Sequence, residues 1–243
     1  YMTNMAATDW SWACLTNDFD LDGLTDVFVA NGYTSDLSNQ DYIYNINLRQ
    51  SGIIPQMGFL TEPNVMFRQR GNLDFEMVGE EWGVADTSTT FGAAYGDLDG
   101  DGDLDLVVAN MDTVPFLYRN NAVEQKRGAF VCLTFKGAKG NTSGLGAKVR
   151  VVAGGASYYR EQFLVRGYQS RMDDKMSIGL GAAQIIDSVI VQWPDGPVQV
   201  FTQQPVNTTI ALDHANAAPA GVSPFQLSEV AKPLFTDASG TSG

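Results

Sequence analysis

Two stretches of the chain place a carboxylate at alternate positions. Asp18-Phe-Asp20-Leu-Asp22-Gly23-Leu24-Thr-Asp26 and Asp97-Leu-Asp99-Gly-Asp101-Gly102-Asp103-Leu-Asp105 align position for position at an offset of 79. Acids at positions 1, 3 and 5 of a tightly curled loop converge on one point, and Gly at position 6 permits the sharp turn. A backbone carbonyl at position 7 and an acid at position 9 complete an oxygen shell for a hard cation, which wants six to eight oxygens at about 2.3–2.6 Å. The expected ligands are Asp18, Asp20, Asp22, Asp26 and the Leu24 carbonyl in the first loop. In the second they are Asp97, Asp99, Asp101, Asp105 and the Asp103 carbonyl. Carboxylates this close do not all stay ionised without a cation among them. Magnesium keeps several waters and seldom takes four carboxylates, so Ca2+ is the expected ion.

Each loop sits between apolar runs. Trp12-Ala-Cys-Leu15 and Phe91-Gly-Ala-Ala-Tyr95 precede the loops, and Val27-Phe-Val-Ala-Asn31 and Leu106-Val-Val-Ala-Asn110 follow them. The repeating unit is strand, acidic loop, strand. An EF-hand would need helices on both sides and Glu at position 12, where Val29 and Val108 stand. A solvated acidic turn needs no alternating carboxylates, and a matching second copy argues against it. Paired acids also cleave sugars, but then the two carboxyls occupy different environments. Here the same set occurs twice, which favours a structural ion over an enzyme.

The 243 residues, 44% hydrophobic and 18% charged, are enough for two folded units and too apolar for a disordered chain. The net charge of −13 is unevenly spread: residues 1–125 carry 4 Lys/Arg against 20 Asp/Glu, residues 126–212 carry 10 against 5. That break predicts domains at 1–122 and 123–212, followed by a linker and the start of a further repeat block over 213–243. The acidic half repels nucleic acid. No apolar run of about 18 residues predicts a membrane span. Cys14 and Cys132 lack metal spacing and are expected as two buried free thiols, with one disulfide the alternative. The start at Tyr1 and the Ala-Ser-Gly-Thr-Ser-Gly end suggest a piece of a longer protein, so the lack of a leader says nothing of location.

Between the loops, Thr34 to Pro63 is an insertion in which Ser38-Asn-Gln-Asp41 caps a predicted helix from Tyr42 to Gln50. Val65-Met-Phe-Arg and Leu73-Asp-Phe-Glu-Met-Val are predicted strands leading into the second loop. Past a polar connector at 123–128, strands are predicted at Ala129–Phe135, Ala147–Val152, Ser157–Val165, Met176–Ile178, Ser188–Trp193, Val198–Thr202 and Thr208–Leu212. Gly154-Gly, Gly179-Leu-Gly181 and Pro194-Asp-Gly196 punctuate them, a spacing that predicts an antiparallel sandwich or barrel. His214, the single histidine, falls in the expected linker, and Ser170 has no base nearby in sequence. Asn141-Thr-Ser143 and Asn207-Thr-Thr209 are glycosylation sequons, meaningful in a eukaryotic secretory host.

The run Phe91-Gly-Ala-Ala-Tyr-Gly-Asp97 to Asp101-Gly-Asp-Leu-Asp-Leu106 resembles an FG-GAP (VCBS-type) repeat, a blade of β-propellers such as the integrin α-subunit head. The resemblance implies calcium loops between blade strands and about two blades over 1–122, too few to close a ring. Four ordered motifs resemble an ASPIC/UnbV domain: Asn141…Gly144-Leu-Gly146-Ala147, Arg166-Gly-Tyr168-Gln-Ser170, Ile178-Gly-Leu-Gly181 and Val191-Gln-Trp-Pro-Asp-Gly196. Ser177 departs from that pattern, which usually has an aromatic residue there, and is expected to change packing only. This order of domains is similar to the cartilage acidic protein family and to large bacterial surface proteins. The expected whole is therefore all-β: a partial propeller, then a small sandwich or barrel. The expected function is a calcium-binding extracellular, cell-surface or periplasmic module engaging a protein or polysaccharide, with other segments completing the propeller. The alternative is an accessory or catalytic fragment of an extracellular glycan-processing enzyme. Arg166, Tyr168 and Ser170 are expected to fix a sheet corner, or else to line a face for sugars or for the propeller.

Overall fold

A computed structural model describes residues 3–6, 8, 10–33, 62–111, 113–220 and 223–225. The predicted helix Tyr42–Gln50 and the part of the expected linker and further repeat block beyond residue 225 lie outside them. The described chain is almost entirely β. The first sheet is formed by β1 (Ser11–Asn17), β2 (Asp26–Asn31), β4 (Val65–Gly71) and β5 (Asp74–Met77), in that order and antiparallel throughout. β3 (Glu62–Pro63) pairs with β6 (Thr87–Ser88) in a two-residue ladder. The second sheet is β7 (Thr90–Gly96), β8 (Asp105–Asn110) and β9 (Phe116–Tyr118).

β4 and β5 thus complete the first sheet and do not serve the second. The reason is geometric: the first acidic loop turns β2 back along β1, leaving the other edge of β2 open, and Val65–Phe67 pairs there with Val27–Val29. Only α1 (Gly79–Trp82), closed by Gly83 in the left-handed region at φ 72°, and a short extended run lead to β7. Leu15 and Phe28 of the first sheet, Met66, and Leu106 and Val108 of the second share one buried cluster, so the sheets pack as neighbouring blades.

The second unit contains all seven predicted strands. β10 (Ala129–Lys136) lies between β13 (Met176–Gly181) and β16 (Thr208–Asp213); facing them is a sheet in the order β12 (Ala156–Glu161), β11 (Lys148–Ala153), β14 (Ile185–Gln192), β15 (Val198–Pro205). Strand alternation builds its core: Val149 and Val151 are fully buried while Arg150 between them is not. Val131, Leu133, Ile178, Ile186, Val189, Val191 and Trp193 share that core. The unit is a sandwich, with no closed barrel among the described residues, and it is not wholly antiparallel. β16 pairs with β10 in parallel, because the turn after β15 carries the chain into the opposite sheet, where it enters along β10 rather than hairpinning on its own sheet.

Other expectations shift locally. The strand predicted to reach Val165 stops at Glu161, and residues 162–175 are irregular, with Gly167 and Gln169 both at positive φ. The linker begins later than expected. His214–Asn216 is a short 3-10 turn, the His214 ring meets Trp193 edge-on at 5.3 Å, and Ala218 bridges to Val198. Cys14 is exposed and only Cys132 is buried; both are free thiols.

Candidate metal centre

In the first loop each acid folds the backbone around itself. Asp18 Oδ2 accepts the Gly23 N–H at 2.8 Å, Asp20 Oδ1 accepts that of Asp22 at 3.3 Å, and Asp22 Oδ1 accepts that of Leu24 at 2.8 Å. Leu21 holds a positive φ of 61°, a cost offset by complete burial of its side chain beside Ala122, Phe130 and Cys132. The result brings oxygens of Asp18, Asp20 and Asp22 within 4.8 Å of one another. Asp18 is 2% exposed, and its Oδ1 is buried with no hydrogen-bond partner. Burial, then the neighbouring carboxylates Asp26, Asp22 and Asp20, push the Asp18 carboxyl up to about 8; burial lifts Asp20 in the same direction.

Asp26 stands outside that convergent trio. It is fully buried at the start of β2, where Oδ2 accepts the Phe19 N–H and Oδ1 the Gln69 N–H, both at 3.0 Å. One carboxylate therefore ties the loop's beginning to the sheet's third strand. Burial pushes it up to about 7.

The second loop repeats the arrangement. Asp105 Oδ2 accepts the Leu98 N–H at 2.9 Å and Oδ1 the Asn120 N–H at 2.8 Å. Asp97 Oδ1 accepts from Gly100, Asp101 Oδ1 from Asp103, and Asp97, Asp99 and Asp101 converge within 4.8 Å. Asp103, expected to offer only its carbonyl, also contributes a side chain that is 1% exposed. Its Oδ2 accepts the Val123 N–H at 2.9 Å, and its carboxylate lies with those of Asp101 and Glu124 in a further convergent group. Burial pushes Asp103 up to about 6.

Basic partners complete both loops, and these the spacing argument misses. Arg68 on β4 places Nε 2.6 Å from Asp20 Oδ2 and Nη2 2.9 Å from Asp22 Oδ2. Arg119, just after β9, places Nε 2.7 Å from Asp99 Oδ2 and also pairs with Glu124. Lys175 Nζ lies 3.6 Å from Asp97 Oδ2. A sequence signal for the arginines exists: Met66-Phe67-Arg68-Gln69 and Leu117-Tyr118-Arg119-Asn120 share the pattern aliphatic, aromatic, Arg, side-chain amide. Its distance from the loops differs because of the insertion.

The sandwich rests directly on both loops through β13. Ser177 Oγ donates to the Gly102 carbonyl at 2.9 Å, so this residue bonds to the second loop and does more than alter packing. Gly181 N–H donates to the Leu21 carbonyl at 3.0 Å. Between them Gly179 lies against Asp18, and Gly128 of the connector lies against the Leu21 carbonyl. The connector is thus a held turn, with Arg127 N–H bonded to the Ala122 carbonyl. The 166–170 segment packs on the first blade: Gly167 abuts Leu15 and Ala13, and the Tyr168 ring lies 5.0 Å from that of Trp12. Ser170 Oγ donates to the Tyr168 carbonyl. Tyr168 thus faces the blades, while the Ser170 bond closes the local turn.

Two family models match this arrangement. Residues 18–108, from the first loop to the strand after the second, match an FG-GAP-like repeat. Residues 137–219 match the domain described as ASPIC and UnbV. A search of the curated proteins finds no match.

Proposed function

From the premise that the chain joins an FG-GAP-like repeat to an ASPIC/UnbV domain, we propose that it is a calcium-binding module of an extracellular, cell-surface or periplasmic protein that engages a protein or polysaccharide. The observation that supports the ion most directly is the buried Asp18 Oδ1, which has no hydrogen-bond partner and belongs to a trio of converging carboxylates. A buried, unpaired charge of this kind is costly unless a cation meets it. The donors are all oxygens, the preference of calcium. In this proposal Asp18, Asp20, Asp22, Asp26 and the Leu24 carbonyl hold one ion. Asp97, Asp99, Asp101, Asp105 and the Asp103 carbonyl hold the second. Bound calcium supplies no reaction chemistry here; it neutralises the loops and fixes them against β13.

Binding is proposed over catalysis because equivalent acids in the two loops fold the backbone, Asp26 and Asp105 most plainly. Two blade-like sheets do not close a ring, which takes four to eight blades, so further repeats from elsewhere are proposed to complete the propeller. No helix among the described residues is long and apolar enough to cross a membrane. Calorimetric titration with calcium tests the proposal: two bound ions are expected in the full chain, fewer in Asp20→Ala or Asp99→Ala. Heat and melting temperature indifferent to both calcium and chelator would dismiss it. A glycan array alongside a hydrolase screen separates binding from turnover, and hydrolysis lost on a single carboxylate change would establish the enzyme reading instead.

A further inference from the structure

Where the first blade, the second blade and the sandwich meet, the fold leaves a recess of about 200 Å3. Asn17 and Thr25 border it from the first blade, Tyr95 from the second, and Arg160, Arg166 and Lys175 from the sandwich. The volume is about that of seven waters in the liquid, and below the usual range for whole small-molecule ligands. It suits one compact polar group.

The arginines set the chemistry. Arg160 Nη1 donates to the Tyr159 carbonyl at 2.9 Å and Nη2 to Thr25 Oγ1 at 3.4 Å. Arg166 Nε donates to the Phe163 carbonyl at 3.1 Å, and its guanidinium lies 5.9 Å from the Phe163 ring centroid. Both use neutral partners, and neither forms an ion pair within 4.0 Å among the described residues. Arg68 and Arg119, by contrast, sit on carboxylates. Lys175 is drawn toward Asp97 of the second loop. Glu161 and Asp173 also border the recess without pairing to either arginine. Burial holds Arg160 below its usual value, and the like charge of Arg166 adds to this, while Asp18 and Tyr95 act the other way. Arginine does not escape the penalty by losing its proton. Two half-buried guanidiniums facing one recess are a fork for an anion with two or more oxygens.

We propose that this recess binds a small oxyanion group, clamped by Arg160 and Arg166 and reached by the hydroxyls of Thr25 and Tyr95. The group is a sulfate, phosphate or carboxylate, free or pendant on a larger ligand. The proposal does not depend on calcium in the acidic loops.

The test is calorimetry on the full chain at constant ionic strength, with sodium sulfate, sodium phosphate and glucuronate as titrants and sodium chloride as the blank. One-to-one saturable binding of at least one oxyanion is expected. Arg160→Gln and Arg166→Gln should each weaken it roughly tenfold or more, as for loss of a charge-assisted bond, while Arg70→Gln on β4 leaves it unchanged. Arg166 lies on an irregular segment outside both sheets, so its variant decides the matter should Arg160→Gln fail to fold. A sulfated monosaccharide binding more tightly than inorganic sulfate identifies a pendant group, and equal affinity identifies the free ion; both support the site. No saturable binding by any of these probes, or arginine variants that bind like the parent chain, overturns it.

Discussion

Gly179 of β13 lies so close to Asp18 that a Cβ added at the glycine would overlap Asp18 Oδ2 and stand 2.8 Å from the Leu21 Cα. Absence of a side chain at one position of the sandwich is therefore a condition for the acidic loop of the neighbouring blade to hold its shape. Gly179→Ala changes no proposed ligand, yet it must displace either β13 or the loop. Overpacking of this kind costs about 1–3 kcal/mol. Calcium titration should find one of the two sites weakened roughly tenfold or more, with the other unchanged. Equal affinities in parent and variant would show that the seam and the ion site are independent.

The bridging carboxylates are expected to stabilise the fold even without an ion. Asp26→Asn leaves one acceptor oxygen for two backbone N–H groups, those of Phe19 and Gln69. One buried donor is orphaned, at roughly 1–3 kcal/mol. Asp105→Asn should behave alike toward Leu98 and Asn120. Urea unfolding in chelator measures this brace apart from any ligand role, and unchanged midpoints there would refute it.

The acid-loop carboxyls give the metal-free chain an inverted pH dependence. Asp18 is raised to about 8 and Asp26 to about 7, from an ordinary value of 3.8. The folded state thus holds protons that the unfolded state releases. Their stabilising contribution is complete below about pH 4 and is lost as pH rises through about 7 to 8. In chelator the melting temperature should fall between pH 5 and pH 8; saturating calcium should remove that slope. A melting temperature that climbs over this range in chelator would contradict the assignment.

The sandwich carries its own core, in which Trp193 is 1% exposed, meets Phe135 edge-on and donates from Nε1 to Gln199 Oε1 at 3.3 Å. Trp193→Ala should cost about 3–5 kcal/mol, read from the midpoint of equilibrium denaturation. A loss under 1 kcal/mol would mean the core refills around the gap.

How much of this was legible in the sequence follows from how local each signal is. Alternating acids, the repeat offset and the seven strands of the sandwich are encoded within short windows, and the structure forms each of them, with β12 ending at Glu161 short of its expected end. The parallel pairing of β10 with β16 joins residues nearly 80 apart, and no local period announces it. Arg68 and Arg119 were hidden because the insertion gives them different distances from their loops, although the residues around them match. Gly179 and Gly181 look like turn punctuation; in the structure they lie in β13, where the lack of a side chain permits contact with another unit. The Asp26 and Asp105 bridges were invisible for a similar reason, since one of the two N–H groups each receives comes from a distant segment placed by tertiary packing, Gln69 on β4 and Asn120 just past β9.

β13 touches the first loop at Gly181 and the second at Ser177. Tension that pulled the sandwich away from the blades would reach both acidic loops together through one strand. The joint is loaded in parallel, so the two contacts share the force and resist it together.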